Sequence, residues 1–217
     1  MAKHAQPRAT VNAQIFELVL ARAIIHKLCR PEETYMFRKS RANLVPGPDG
    51  QANYSLGVLR EKAAHGPLGT STKFIEGFSF QADPLLKMGG DYRSPVGRLL
   101  DISAKPASDA GSWCALHLSL PARDLSEDSL IGFVARIAAP EIAVARVSLR
   151  SQTSEGFVDS FFDKHMLFRP EDSTHMDVMQ AHFSAEVPAR ADWRELVVFL
   201  PVQAFDISFL DLRVFVI

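Results

Sequence analysis

The sequence predicts a mainly β protein: an antiparallel, jelly-roll-like β-sandwich preceded by one N-terminal α-helix and an extended arm. Three observations carry this. The C-terminal stretch from Trp193 to Ile217 holds two apolar, β-rich runs, 195–200 and 212–217, joined by a phenylalanine-bearing connection. A strand at a chain end must be held by neighbours, because free termini fray, so this end is expected to close a sheet. Period-two alternation is clear in 112–120, where Cys114, Leu116, Leu118 and Leu120 oppose Trp113, Ala115, His117 and Ser119. It is equally clear in 144–152, where Val147 and Leu149 oppose Arg146, Ser148, Arg150 and Gln152. Such patterning marks antiparallel strands with one polar face. Finally, about ten short strands separated by turn-rich segments suit a two-sheet sandwich.

In chain order, residues 1–9 are polar, and Thr10 suits an N-cap for a helix over Val11–Arg30, stopped by Pro31. Its apolar stripe, with Ile15, Phe16, Leu18, Val19, Ile24, Ile25 and Leu28, is wider than a lone surface helix needs. It is therefore expected to attach the protein to an assembly or to copies of itself rather than to pack on its own sandwich, because a breaker-rich segment separates it from the body. Residues 31–72 hold few apolar residues and several breakers, among them Pro46-Gly47-Pro48-Asp49-Gly50, Gly66-Pro67 and Gly69. They read as an arm or linker, with a short helix around 56–64 as the only regular element. Strands are expected at about 73–81, 97–103, 112–120, 130–138, 142–151, 156–162, 164–168, 178–184, 194–200 and 208–217. The domain division is thus 1–30 tail and helix, 31–72 arm, 73–217 sandwich.

Apolar residues make up 47% of the 217-residue chain and charged residues 23%, ordinary for a globular protein with a sizeable core. Net charge is -1, but residues 1–72 carry +5 and the remainder -6. A basic leader on an acidic body suggests docking on something acidic, against the plainer alternative of a solvated surface. Cys29 and Cys114 are too few and too separated for a disulfide framework, which favours a reducing compartment. The polar N-terminus has no early apolar block, so synthesis in the cytoplasm without a signal peptide is expected. The run 15–29 contains Glu17, Arg22, His26 and Lys27 and is too short and charged to span a bilayer. Nucleic acid is not an expected partner, because Arg38-Lys39-Ser40-Arg41 is one short basic run.

The strand KFIEGFSF, the strand SWCALHLSL and the ending WRELVVFLP…FDISFLDLRVFVI resemble the jelly-roll sandwich of carbohydrate-binding modules and galactose-binding-like domains, over residues 73–217. The resemblance is one of pattern. Helix, arm and sandwich together also resemble a phage-type spike or fibre, the gene transfer agent head spike being the nearest case. That resemblance implies an oligomeric virion component, released with a particle, that attaches to a host polysaccharide. The resemblance to carbohydrate-binding sandwich modules implies a structural calcium ion, which no Asp-rich loop assigns to residues here, and no other cofactor is expected.

Two groups of residues could bind sugar. Trp113, His117, Arg136, Arg146, Arg150 and Gln152, with Ser148, would form one patch if their strands pair. A ring stacks on the C–H face of a sugar, planar polar groups fork onto hydroxyls, and Arg holds carboxylates bidentately. An acidic polysaccharide would suit them. The competing account is a solvated face whose arginines pair with acids such as Asp159. Register decides whether Trp113 faces out. In ADPLLKMGGDYRSPVG, Gly89-Gly90 is expected to turn the chain and leave Asp91, Tyr92 and Arg93 at a loop apex near Asp83 and Lys87. His165, His175, Asp177 and His182 are close in sequence, but only His175 and Asp177 would share a strand face, and two ligands make no metal site. Asp159, Asp163, Glu155 and Glu141 could supply carboxylates for glycoside cleavage, with nothing fixing a pair at the required separation of about 5–10 Å. Neither a nucleophile elbow nor a phosphate-cradling glycine loop occurs. The expected function is non-catalytic polysaccharide binding by a protein tethered through its N-terminal helix. The alternatives are a purely structural virion or appendage subunit and an accessory domain of a carbohydrate-active enzyme.

Overall fold

The computed structural model describes residues 50–61, 63–126, 130–181 and 184–216. The expected helix over Val11–Arg30, with Ile15, Phe16, Leu18, Val19, Ile24, Ile25 and Leu28, lies outside them, as does His182.

Helix α1 (Gly50–Glu61) is followed by thirteen strands among the described residues. Six of these strands form the first sheet and seven the second. In chain order they are β1 (Ala64–Leu68), β2 (Ser71–Ile75), β3 (Phe78–Ala82), β4 (Gly89–Ser94) and β5 (Leu100–Lys105). Next come β6 (Cys114–Leu120), β7 (Ile131–Ala138), β8 (Ala143–Thr153) and β9 (Gly156–Phe161). The last are β10 (Met166–Phe168), β11 (Ser173–Met179), β12 (Trp193–Leu200) and β13 (Phe205–Val216). The first sheet runs β1-β4-β5-β13-β7-β11 and the second β10-β8-β12-β6-β3-β2. Every pairing is antiparallel. Strand β8 is long enough that β10 and β9 both pair along the edge that β12 leaves open, at 143–145 and 148–153.

The fold is therefore the antiparallel β-sandwich that the alternation implies, and its inner faces follow the predicted parity. Cys114, Leu116, Leu118 and Leu120 of β6 are buried in the core with Leu196, Val198 and Leu200 of β12 and Val147 and Leu149 of β8. From the other sheet come Phe133, Ala135 and Ile137 of β7 and Phe209, Leu212 and Val214 of β13. Edge-to-face pairs such as Phe133–Phe162, at 5.0 Å, and Phe168–Phe209, at 5.4 Å, join them. The C-terminal strand β13 lies between β5 and β7, pairing with β5 over 205–209 and with β7 over 208–216, so the chain's last described residues are held by β7.

Several expectations need correction. Residues 50–72 are not an extended arm. Ala52, Leu56 and Leu59 of α1 and Leu68 of β1 belong to the core cluster. The helix packs on β13 of one sheet and on β2 and β6 of the other. Asn53 replaces a missing strand partner: its Nδ2 donates to the Val214 carbonyl at 2.7 Å, and its Oδ1 accepts from the Val214 N–H at 2.9 Å. The expected strand 73–81 is a hairpin, β2 and β3, because Gly77 at φ 77° takes the left-handed conformation and turns the chain. The strand expected at 178–184 is β11, at 173–179 instead.

Strand β4 replaces the expected loop apex. Gly89-Gly90 does not turn the chain. Gly90, at φ 147°, sits opposite Ala104 with the Ser103 carbonyl so close that a Cβ would lie 2.0 Å from its oxygen. Asp91, Tyr92 and Arg93 are consequently paired on both sides, to β1 and β5. Tyr92 packs edge-on against Phe74, 4.8 Å between centroids, rather than standing free. Arg93 pairs with Asp101 at 3.1 Å. Asp83 is engaged locally, accepting from the Leu85 N–H at 3.0 Å and the Ser112 N–H at 3.0 Å, which lowers its pKa.

Candidate functional site: the outer face of the seven-stranded sheet

The outward-facing residues of β6, β12, β8 and β9 stack in register as four rows. Trp193, Gln152 and Phe157 form the first. Ser119, Glu195, Arg150 and Asp159 form the second, and His117, Val197, Ser148 and Phe161 the third. Ala115, Phe199 and Arg146 form the fourth. Ser79 of β3 extends the third row beside His117, and Gln81 the fourth beside Ala115. Leu167 of β10 lies opposite Val144 at the end of the face. Directly opposed side chains on one face are in contact distance, so the rows are units of interaction.

The second row is an acid–base–acid sequence. Arg150 grips Asp159 bidentately, Nε to Oδ1 at 2.8 Å and Nη2 to Oδ2 at 2.6 Å. That hydrogen bond raises the pKa of Arg150. Ser148 donates to the same Oδ1 at 3.3 Å. Glu195 meets Nδ1 of His117 at 2.8 Å. His117 is 5% exposed, and its Nε2 has no hydrogen-bond partner. Arg150 also lies 4.3 Å from the centroid of Phe157 and 5.9 Å from that of Phe199, and Val197 and Ser148 of the third row are buried. Arg146 lies over Phe161, with Cζ 4.0 Å from the ring centroid. Phe161 and Phe199 pack at 5.7 Å.

This face is also where exposed apolar surface gathers. Phe157 is 60% exposed, Trp193 41% and Phe161 38%, and Val144 and Leu167 are exposed beside them. Soluble proteins rarely leave contiguous large apolar groups in water unless something covers them. Half-exposed rings among guanidinium, carboxylate and amide groups can stack on a sugar's C–H face while the polar groups meet its hydroxyls.

Of the residues expected to form the patch, His117, Arg146, Arg150 and Gln152 share this face. Arg136 does not. It lies on β7 of the other sheet and pairs with Asp172. Trp113 precedes β6, half-exposed, where its carbonyl accepts from the Asp83 N–H at 2.9 Å. Asp91, Tyr92 and Arg93 also belong to the other sheet. The competing expectation that the arginines pair with acids holds for Arg150 with Asp159. Sequence reasoning passed over Trp193, Glu195, Phe157, Phe161 and Phe199. Their signal was present as alternation, Trp-x-Glu-x-Val-x-Phe in 193–199 and Phe-x-Asp-x-Phe in 157–161.

His175 and Asp177 share the inner side of β11, as expected, with Asp177 accepting from the Lys164 N–H at 2.7 Å. His175 stacks on Phe133 at 5.6 Å, and burial lowers its pKa. Among the described residues no group of three or more His, Cys, Asp or Glu could hold a metal ion, and no helix is long and apolar enough to cross a membrane.

No family model and no curated protein matches the chain. Among solved structures it is similar to the N-terminal cellulose-binding domain of β-1,4-glucanase C from Cellulomonas fimi. The identity there is 14% and the TM-score 0.45, over 69% of this chain and 96% of that one. It is also similar to the CBM22-1 xylan-binding domain of Xyn10C from Paenibacillus barcinonensis, at 7% identity and TM-score 0.41, over 72% and 90%. A cyclase from Fischerella sp. TAU is similar at 11% identity and TM-score 0.46, over 65% and 85%.

Proposed function

We propose that this protein binds polysaccharide, without cleaving it, on the outer face of the seven-stranded sheet. The observation that carries the reading is the gathering of half-exposed Trp193, Phe157 and Phe161 on one face with Arg146, the Arg150–Asp159 pair and Gln152. Rings supply area, planar polar groups supply direction, and both stand on strands rather than on loops, so the site is preorganised. Asp159 and Glu195 are held by Arg150 and His117, which fits carboxylates acting as structural braces rather than as acid and nucleophile. A tether through the apolar stripe of residues 11–28 belongs to the same proposal. Several copies would then turn weak single-site binding into avidity.

The test is retention of the full chain on a panel of immobilised polysaccharides, with Trp193→Ala and Phe157→Ala alongside. Each variant is expected to lose roughly tenfold in affinity, the worth of one stacked ring, while melting as the parent does. Retention of no polysaccharide by the parent chain would sink the reading. Unchanged retention by both variants would move the site off this face.

A further inference from the structure

The charges of the outer face are not evenly matched. Arg150 is held by Asp159 through two hydrogen bonds, and Glu195 is held by His117 at 2.8 Å. Arg150 and Asp159 therefore compensate each other, and the Glu195 carboxylate is engaged by an imidazole nitrogen. Arg146 stands apart. It is exposed, and among the described residues it forms no ion pair and has as its side-chain partner the Phe161 ring beneath it, at 4.0 Å. Its strand neighbour is Phe199, not an acid. A guanidinium lying on a ring keeps its plane fixed, and its edge N–H groups remain free for an acceptor. A fixed planar fork matches a carboxylate bidentately and loses little side-chain freedom on binding.

Resting on the polysaccharide reading of this face, we propose that Arg146 is its anion-reading residue and that the bound polymer carries carboxylates, as a uronic-acid-containing chain does. Trp193 and Phe157, at the opposite end of the four rows, would take sugar rings while Arg146 fixes the position of a uronate. Four rows on one strand face are spaced by two residues each, about 7 Å, so the two ends lie roughly 20 Å apart and engage different sugars of one chain. Selection against neutral glycans follows from leaving Arg146 with no counter-charge under a covering ligand.

The experiment uses the full chain as parent, Arg146→Gln, Arg146→Lys and Trp193→Ala. The probes are polygalacturonate, alginate and hyaluronan, each beside its carboxyl-methylated form, with dextran sulfate and a neutral β-glucan. The parent is expected to bind at least one uronate polymer and to bind its methyl ester about 10- to 100-fold more weakly, the loss of one charge-assisted bidentate contact. Arg146→Gln should lower the affinity for the acid form to that of the ester and leave the ester unaffected. Arg146→Lys should recover part of the difference, as a point charge without the fork. Equal affinity of the parent for acid and ester, or an Arg146→Gln variant that matches the parent on the acid form, overturns the proposal. Dextran sulfate bound as tightly as the uronate polymers, and released by Arg146→Gln, overturns the carboxylate assignment in favour of an unselective anion site. Neutral glucan bound in preference to uronates, and lost in Trp193→Ala, overturns this inference while the polysaccharide reading stands. Failure of the parent to bind any polymer sinks both.

Discussion

Among the described residues two histidines, His117 and His175, have a buried Nε2 without a hydrogen-bond partner. His117 is braced by Glu195 on the outer face, whereas His175 is sandwiched against Phe133 on the inner side of β11. Burial lowers the pKa of His175, against the opposing pull of Asp177. The unfolded chain takes up a proton at this histidine as pH falls through about 6.5, and the folded chain resists it. His175 therefore leaves stability intact above that pH and removes it progressively below. The midpoint of urea unfolding should drop between pH 7 and pH 5 in the parent and drop less in His175→Phe, which keeps the stack and cannot titrate. Equal slopes in the two proteins would show that His175 does not set this dependence. Buried Cys114, whose thiol is pushed up to about 12 by desolvation, behaves as a small apolar residue at any of these pH values.

At the scale of elements, one buried cation organises the loops around β12. Arg194 lies on the core face of that strand, fully covered among Leu120, Ser151 and Leu196. Its Nε donates to the Ala122 carbonyl at 2.6 Å, and its other nitrogens donate to the Ser151 hydroxyl and the Pro188 carbonyl. Neutral oxygens rather than a carboxylate hold it, and desolvation brings its pKa down to about 10. The guanidinium thus ties the 121–125 segment and the 187–191 segment to the sheet, beside the bridge between Asp124 and Arg190. Arg194→Met keeps the length and leaves three acceptors without their donor. It should destabilise the fold by roughly 3 kcal/mol or more, read as a lowered denaturant midpoint. A change within about 0.5 kcal/mol, the usual size of a surface substitution, would mean that water replaces the guanidinium at no cost. From the sequence Arg194 was assigned no role. Only its parity with Leu196, Val198 and Leu200 marked it as inward, and parity needs a register before it means anything.

For the whole molecule, the boundary of the sandwich is a measurable quantity. A chain starting at residue 73 loses α1, β1 and part of β2, and with them Ala52, Leu56, Leu59 and Leu68 from the core. Three buried leucines at about 2–5 kcal/mol each are comparable to the entire stability of a domain, about 5–15 kcal/mol. A chain starting at residue 50 should therefore melt cooperatively, and one starting at 73 should not. Equal melting would return 50–72 to the status of an arm. The sequence by itself determined that the chain is an antiparallel sandwich, that β6 and β8 turn one face inward, and that the C-terminal strand is core. These follow from alternation, which is a local property of residues two apart. It also placed His117, Arg146, Arg150 and Gln152 on outward positions. Tertiary structure alone decided which strands are neighbours. That choice put Trp193, Phe157 and Phe161 beside those residues, moved Arg136 to the other sheet, and laid Tyr92 under Gly66 between two strands. Strand order is a matter of long-range pairing, and nothing in a strand's own alternation says which partner it will take.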